Sequence, residues 1–279
     1  MKVLPFKIPK PKNLGVIYQE DRGVFYDKLH QHEEIQISCI VKGKGTLVVG
    51  DTIHNYAVND VFIIGGSLPH LFKSDAHNSE DSFMISLFFT EQSFGKDFFK
   101  LDDFLLLKNF FEKTRNGFKI TENKDVILQH FLTLEHHNDL ERFITFFTLL
   151  KELNHLKSES LSTFIYPKKY TENQGKRMQT VMNYTINNFH SEIDLQTVAE
   201  KANMTKNAFC NYFKQHTNKT YFTFLNELRV ENACNLLLEN RSLSINEIAY
   251  RSGYSSLSNF NRKFLAIKKV TPSQYRKVN

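Results

Sequence analysis

The chain has 279 residues, 41% hydrophobic and 13% aromatic, enough for about two domains with sizeable cores, and its 26 Phe with no Trp make phenylalanine the main packing side chain. The formal net charge of +6 is unevenly spread: residues 171–279 hold 15 Lys and Arg against 8 Asp and Glu, a net +7, while residues 1–170 hold 21 against 22, a net −1. Only the carboxy-terminal part is therefore expected to meet a polyanion. Three widely spaced cysteines, Cys39, Cys210 and Cys234, with no CxxC pair, argue against a disulfide framework or a cysteine-based zinc site and fit a reducing, cytoplasmic setting. The start of the chain is Lys- and Pro-rich without the apolar run of a signal peptide. The longest apolar stretches, Phe83 to Phe89 and Phe143 to Leu150, fall far short of about 18 residues, so no membrane span is expected.

From about Val16 to Phe89, β-rich runs (Glu34 to Val41, Thr46 to Val49, Asp60 to Ile64, Phe83 to Phe89) alternate with the turn signals Lys42 to Gly45, Gly50-Asp51, Val58 to Asp60 and Gly65 to Pro69. Short strands at roughly ten-residue spacing predict an all-β barrel or sandwich. The stretch His30-Gln31-His32-Glu33-Glu34, with Gly43 and Gly45, Val49-Gly50-Asp51 and Pro69-His70 after it, resembles the cupin barrel. In that family an HxH pair, a glutamate and a later histidine often bind a metal. Two histidines at i and i+2 on a strand project to one face, and His70 can return to that face from a paired strand. With a carboxylate, such a set would suit Zn, Fe or Mn. The family's glutamate lies four or five residues after the second histidine, where this chain has Gln36 and Ile37, while Glu33 and Glu34 come too early. No metal and no cofactor is therefore assigned. His30, His32, Glu34 and His70 stand as candidates lining a small-molecule pocket, barrel-mouth packing being the plain alternative.

Between about Glu91 and Leu156 the apolar residues recur near helical spacing, among them Phe94, Phe98, Phe99, Phe104, Phe110, Phe131, Phe143, Phe147 and Leu150. Breaks at Asn116-Gly117 and at His137 to Asp139 divide this segment into helices, of which one face packs on the barrel and another could pair two subunits. The Ser-, Lys- and Glu-rich residues that follow read as an interdomain linker.

The stretch Ser244 to Arg276 states a helix, a turn and a second helix. Ser244 and Glu247 form a capping-box pattern. Ile245, Ile248 and Ala249 share a face, Gly253 stops the helix, and Ser255 or Ser256 starts the next. Phe260 and Phe264 of that helix point inward while polar and basic residues point out. Leu195, Val198 and Ala199 repeat this pattern 50 residues earlier, with Asn203 in the place of Gly253. Phe209 and Phe213 match Phe260 and Phe264 at an offset of 51, as do Thr220 with Thr271 and Phe224 with Tyr275. Tyr221 to Glu239 reads as one unbroken helix of roughly 27 Å, stiff enough to hold two recognition helices in major grooves about 34 Å apart.

The segments Ile248 to Tyr254, Ser258 to Phe264 and Thr271 to Arg276 resemble the AraC/XylS family of bacterial transcription regulators over about Arg177 to Arg276. Two departures are Lys269 in place of the usual Gly before Val-Thr-Pro, and Leu265 in place of the usual Lys after Phe264. The resemblance implies an α+β chain divided into a cupin-like sensor barrel (1–95), a helical segment for dimerisation (96–160), a linker (161–174) and an all-α DNA-binding domain with two helix-turn-helix units joined by a long helix (175–279). It places Lys206, Asn207, Asn211, Ser258, Asn259 and Arg262 against base edges, chemistry that suits Arg on guanine and Asn on adenine. Arg241, Lys263, Lys268 and Lys269 are the phosphate candidates. The expected protein is a cytoplasmic, non-enzymatic regulator of transcription with double-stranded DNA, a small-molecule effector, RNA polymerase and a second copy of itself as partners. The competing expectation is a cupin-type metalloenzyme carrying a DNA-binding domain.

Overall fold

A computed structural model describes residues 15–75, 81–164 and 172–278. The chain forms two compact units, the second taking Asp51–Asn55 together with the chain from Glu172 onward. Half of the segment expected to be the linker (161–174), including Ile165 and Tyr166, lies outside the described residues, and its last three residues are the start of the helix Glu172–Asn188.

Ahead of Glu172 the described chain contains β1 (Ile17–Arg22), β2 (Ile35–Lys42), β3 (Gly45–Val49), β4 (Thr52–Tyr56), β5 (Val61–Ile64), β6 (His70–Ser74) and β7 (Phe83–Phe89). After them come 3-10 turns at Phe98–Lys100 and Asp102–Leu107, then α1 (Lys108–Thr114), β8 (Phe118–Ile120), α2 (Lys124–Thr133), α3 (Asp139–His155) and β9 (Ser158–Ser160). The described strands form two sheets, ordered β1-β7-β2-β5-β8-β9 and β4-β3-β6. In the larger, Ile37 lies opposite Leu87 on one side and Ile63 on the other.

Alternation along the central strands assigns the two faces of that sheet. Ile35, Ile37, Cys39, Val61, Ile63, Ile85 and Leu87 pack with Phe110, Ile127, Phe131, Phe146, Leu149 and Leu150 of the three helices. The opposite face puts Ile40, Phe62, Ile64 and Met84 against Leu47, Val49, Tyr56 and Phe72 of the smaller sheet. A strand buried on both faces is apolar at nearly every position, and all seven residues of β7 are indeed buried. Asn138 and Glu141 form the capping box that starts α3.

The segment expected to be helical is mixed. Phe98, Phe99 and Phe104 sit in 3-10 turns, and the chain twice returns to the large sheet, as β8 against β5 and β9 against β8. Strands of three residues are too short to display a period of two. The helix-like recurrence of phenylalanines arises from one ring cluster, in which Phe98 stands 4.8 Å from Phe104 and Phe94 stands 5.3 Å from Phe143.

From Glu172 the described chain is all helix: α4 (Glu172–Asn188), α5 (Leu195–Lys201), α6 (Lys206–Thr217), α7 (Tyr221–Glu239), α8 (Ile245–Arg251), α9 (Leu257–Lys268) and α10 (Pro272–Val278). The internal repeat is built as two helix-turn-helix units, α5-α6 and α8-α9, joined by α7. Val198, Ala199, Phe209 and Phe213, and equally Ile248, Ala249, Phe260 and Phe264, have 0–1% exposure. The amino-terminal half of α7 closes the first unit, Tyr221 and Phe224 lying 5.4 and 5.8 Å from Phe213. Its carboxy-terminal half closes the second through Val230, Ala233, Cys234 and Leu237. Thr220 and Thr271 occupy equivalent caps, accepting from the N–H of Thr223 and of Gln274.

Candidate functional site

Each helix-turn-helix is set by local chemistry. Ser244 Oγ accepts from Glu247 N–H while the Glu247 carboxylate accepts from Ser244 N–H, so α8 starts with both orphan donors satisfied. Ser256 caps α9 and Thr205 caps α6. The turns need a left-handed residue, and Asn203 (φ +54°) and Gly253 (φ +88°) supply it. The recognition helices α6 and α9 then begin one short turn later in both units.

Lys206, Asn207 and Asn211 are exposed on α6, the first two in its opening turn, where a recognition helix meets base edges. Ser258 and Arg262, four apart and therefore on one face of α9, are exposed, and Asn259 between them is half-buried. The Arg262 guanidinium donates to Asn259 Oδ1 at 2.9 Å, which holds it along the helix surface. Among the phosphate candidates, Arg241 and Lys269 are exposed and Lys263 is half-buried. Lys268 differs: its ammonium donates to Glu231 of α7 at 2.5 Å, so its charge is engaged inside the fold of the second unit.

Sequence reasoning missed Arg229. From the middle of α7 its guanidinium donates to the carbonyls of Phe189 (2.8 Å) and Ser191 (2.7 Å), just beyond α4, and lies over the Tyr254 ring at 5.6 Å. It thereby ties the approach to the first helix-turn-helix to the turn of the second. A lone arginine on a helix carries no sequence signal for such carbonyl partners. Arg276 is likewise structural, donating to Leu243 O at 2.8 Å.

In the first unit, His30, His32 and His70 come together although separated by up to 40 residues. His30 and His70 exchange both backbone hydrogen bonds, at 3.0 and 2.9 Å. One ring nitrogen of each of the three lies within 4.8 Å of the others, and all are buried. Each Nδ1 meets a backbone carbonyl at 2.9 Å: His30 with Lys28, His32 with Glu34, His70 with Leu68. A carbonyl only accepts, so each Nδ1 carries the proton in these bonds and Nε2 keeps the lone pair. Burial is the first cause that holds all three below the ordinary histidine range, His30 at about 4 and His70 well down with further repulsion from the other two imidazoles. They are therefore neutral near pH 7.

Glu34, grouped with these histidines from sequence, is buried, but its carboxylate is 3.8 Å from His32 Nδ1, on the opposite edge of the ring from Nε2. The side chain that joins the imidazoles is Gln36, whose Oε1 lies 3.1 Å from Nε2 of both His32 and His70. Its amide nitrogen donates to Ser38 Oγ at 2.7 Å, and Ser38 meets Ser86 at 2.7 Å. The alternation Ile35, Gln36, Ile37, Ser38 in β2 contained this signal, since it sets the two polar residues on the face away from the helices.

Residues 13–87 match the AraC-like ligand binding domain, and residues 198–278 match a helix-turn-helix domain. An uncharacterised HTH-type transcriptional regulator of Bacillus subtilis, YdeC, is 28% identical over 38% of this chain and 36% of its own length. This chain thus spans little more than a third of that relative. The Msm operon regulatory protein of Streptococcus mutans is 25% identical over 92% of this chain and 88% of its own. Among solved structures, the C-terminal domain of AraT, a response regulator from Geobacillus stearothermophilus, is 30% identical over 37% of this chain and 85% of that one, with a TM-score of 0.35. With the ligand-binding and helix-turn-helix domains both present, in the order that its sequence motifs imply, the chain belongs to the AraC family of transcriptional regulators.

Proposed function

We propose that this protein is a sequence-specific DNA-binding regulator of transcription, controlled by a ligand of its amino-terminal unit and acting in the cytoplasm without catalysing a reaction. The observation that carries the reading is the paired helix-turn-helix: two units with the same buried residues and different outward ones, in the half of the chain that holds the excess positive charge. Lys206, Asn207 and Asn211 read bases from α6 and Ser258, Asn259 and Arg262 from α9, while Arg241, Lys263 and Lys269 contact phosphates. The 19 residues of α7, about 28 Å long, suit two recognition helices in successive major grooves.

Self-association through the 96–160 segment belongs to the same reading. Leu140 (68% exposed) and Ile144 (58%) stand one turn apart on α3, and such exposed apolar pairs favour a partner surface. RNA polymerase is the further partner proposed for the DNA-bound protein. A cupin-type metalloenzyme carrying a DNA-binding domain would draw on the same histidines, but the relatives are named as regulators.

Selection of bound duplexes from a random pool, with and without candidate metabolites, tests the proposal. The expected result is two recognition elements about one helical turn apart and a ligand-dependent change in recovery. Recovery without sequence enrichment would overturn it.

A further inference from the structure

The two recognition helices part company at two matched positions. At the offset of 51 that aligns Phe209 with Phe260, Lys206 and Lys214 of α6 correspond to Leu257 and Leu265 of α9. Both lysines are exposed, and so are both leucines, at 39% and 47%. Among the described residues α6 exposes no large apolar side chain, so the feature belongs to the second helix-turn-helix alone. Phe260, Phe264 and Ile267 make the core contacts of α9, and neither leucine joins that cluster. Leu265 follows Ser258 by seven residues and Arg262 by three, which puts it on the face they share. Leu257 is the first residue of the helix, in the opening turn that meets base edges.

A leucine side chain can neither neutralise a phosphate nor hydrogen-bond a base edge, so on a DNA-binding helix it needs an apolar group to cover. The major groove offers one, the C5 methyl of thymine. In the free protein the two leucines stand in water, and the apolar area they cover on a duplex favours binding without any release of counterions. We propose that Leu257 and Leu265 determine part of the sequence preference of the second helix-turn-helix by packing on thymine methyls in the major groove. Eight residues of helix separate them by about 12 Å, or about three to four base-pair steps, with the base met by Arg262 between them. Under α6 the lysines in the same places meet guanine edges or phosphates. The two recognition helices therefore favour different base chemistry. This role rests on the DNA-reading assignment above and supplies the base chemistry of its second half.

Deoxyuridine in place of thymine removes the C5 methyl and leaves every hydrogen-bonding group, so it isolates the contact. The full-length protein is bound to the duplex it selects from a random pool, with each thymine replaced in turn. Within the element that Arg262→Ala relaxes, two positions should each lose about fourfold in affinity with their methyl. Leu257→Ala and Leu265→Ala should each abolish the deoxyuridine effect at one of these positions and leave the element under α6 unaltered. Both side chains are exposed, so the variants keep the fold, which circular dichroism checks. Leu265→Lys gives α9 the charge that α6 has in that place: it should tighten binding to every sequence, raise the salt slope by about 1 and ignore the methyl. Affinity indifferent to deoxyuridine throughout that element, or a deoxyuridine effect that persists in both alanine variants, would overturn the proposal. A chain that enriches a site but ignores its thymine methyls loses only this inference, whereas failure to enrich any site removes the DNA-reading proposal as well.

Discussion

Gly253, in the turn of the second helix-turn-helix, lies directly against the carbonyl oxygen of Phe189, at the end of the helix that precedes the first: a Cβ on Gly253 would come within 2.2 Å of it. The same oxygen accepts from Arg229 Nε. The two helix-turn-helix units are thus held together by more than α7, because a backbone contact and one guanidinium fix how the second turn meets the first half of the domain.

Gly253→Ala should therefore cost more than a left-handed alanine alone, which is about 1–2 kcal/mol. Urea unfolding of the full chain followed by circular dichroism should show at least ~2 kcal/mol lost from the helical unit. Asn203→Ala, in the equivalent turn at φ +54°, should cost only about the conformational term. Equal losses at the two positions would mean that the Phe189 contact adds nothing.

Arg262→Ala should relax preference at one base position and cost about 1–3 kcal/mol on the preferred site, whereas Lys263→Ala should weaken all sites about equally and lower the salt slope by about 1. Competition binding against single-base variants of the selected site measures both. If Arg262→Ala weakens every site alike, its role is phosphate contact or support of Asn259.

Lys269 ends α9 with φ +62°, at the position equivalent to Asn218 (φ +55°). A β-carbon in this conformation is strained, so Lys269→Gly should stabilise the domain by about 1 kcal/mol. The same change removes an exposed positive charge, and a smaller salt dependence of DNA binding is expected beside the higher urea midpoint. Improved stability with unaltered salt dependence would take Lys269 off the DNA surface.

Acidification should loosen the amino-terminal unit. The buried histidines resist protonation in the folded chain, while in the unfolded chain they titrate near the ordinary value of about 6.5. Stability is then full above about pH 6.5 and falls as the pH drops toward about 4, where His30 titrates. The slope reaches up to about 1.4 kcal/mol per pH unit for each histidine involved. Urea unfolding of metal-free protein across this range checks the sign, and a flat midpoint would show the imidazoles to be solvated.

The Asp194, Thr205, Ser244 and Ser256 caps, the left-handed Asn203 and Gly253, and the buried Phe209, Phe213, Phe260 and Phe264 depend on residues within a turn or two of one another. Helical periodicity and capping chemistry therefore made the double helix-turn-helix legible from sequence, and the alternating runs did the same for most strands of the first unit. The histidines were legible as residues, but Glu34 looked equivalent to them because sequence distance says nothing of which edge of a ring a carboxylate meets. That Gln36 faces His70, that Glu231 engages Lys268, that Phe189 crowds Gly253 and that β8 and β9 join the large sheet are contacts between residues 34 to 64 positions apart or strands three residues long. Pairings of that kind are selected by the packing of whole elements, where burial of a shared core decides the neighbour, and only the tertiary structure could reveal them.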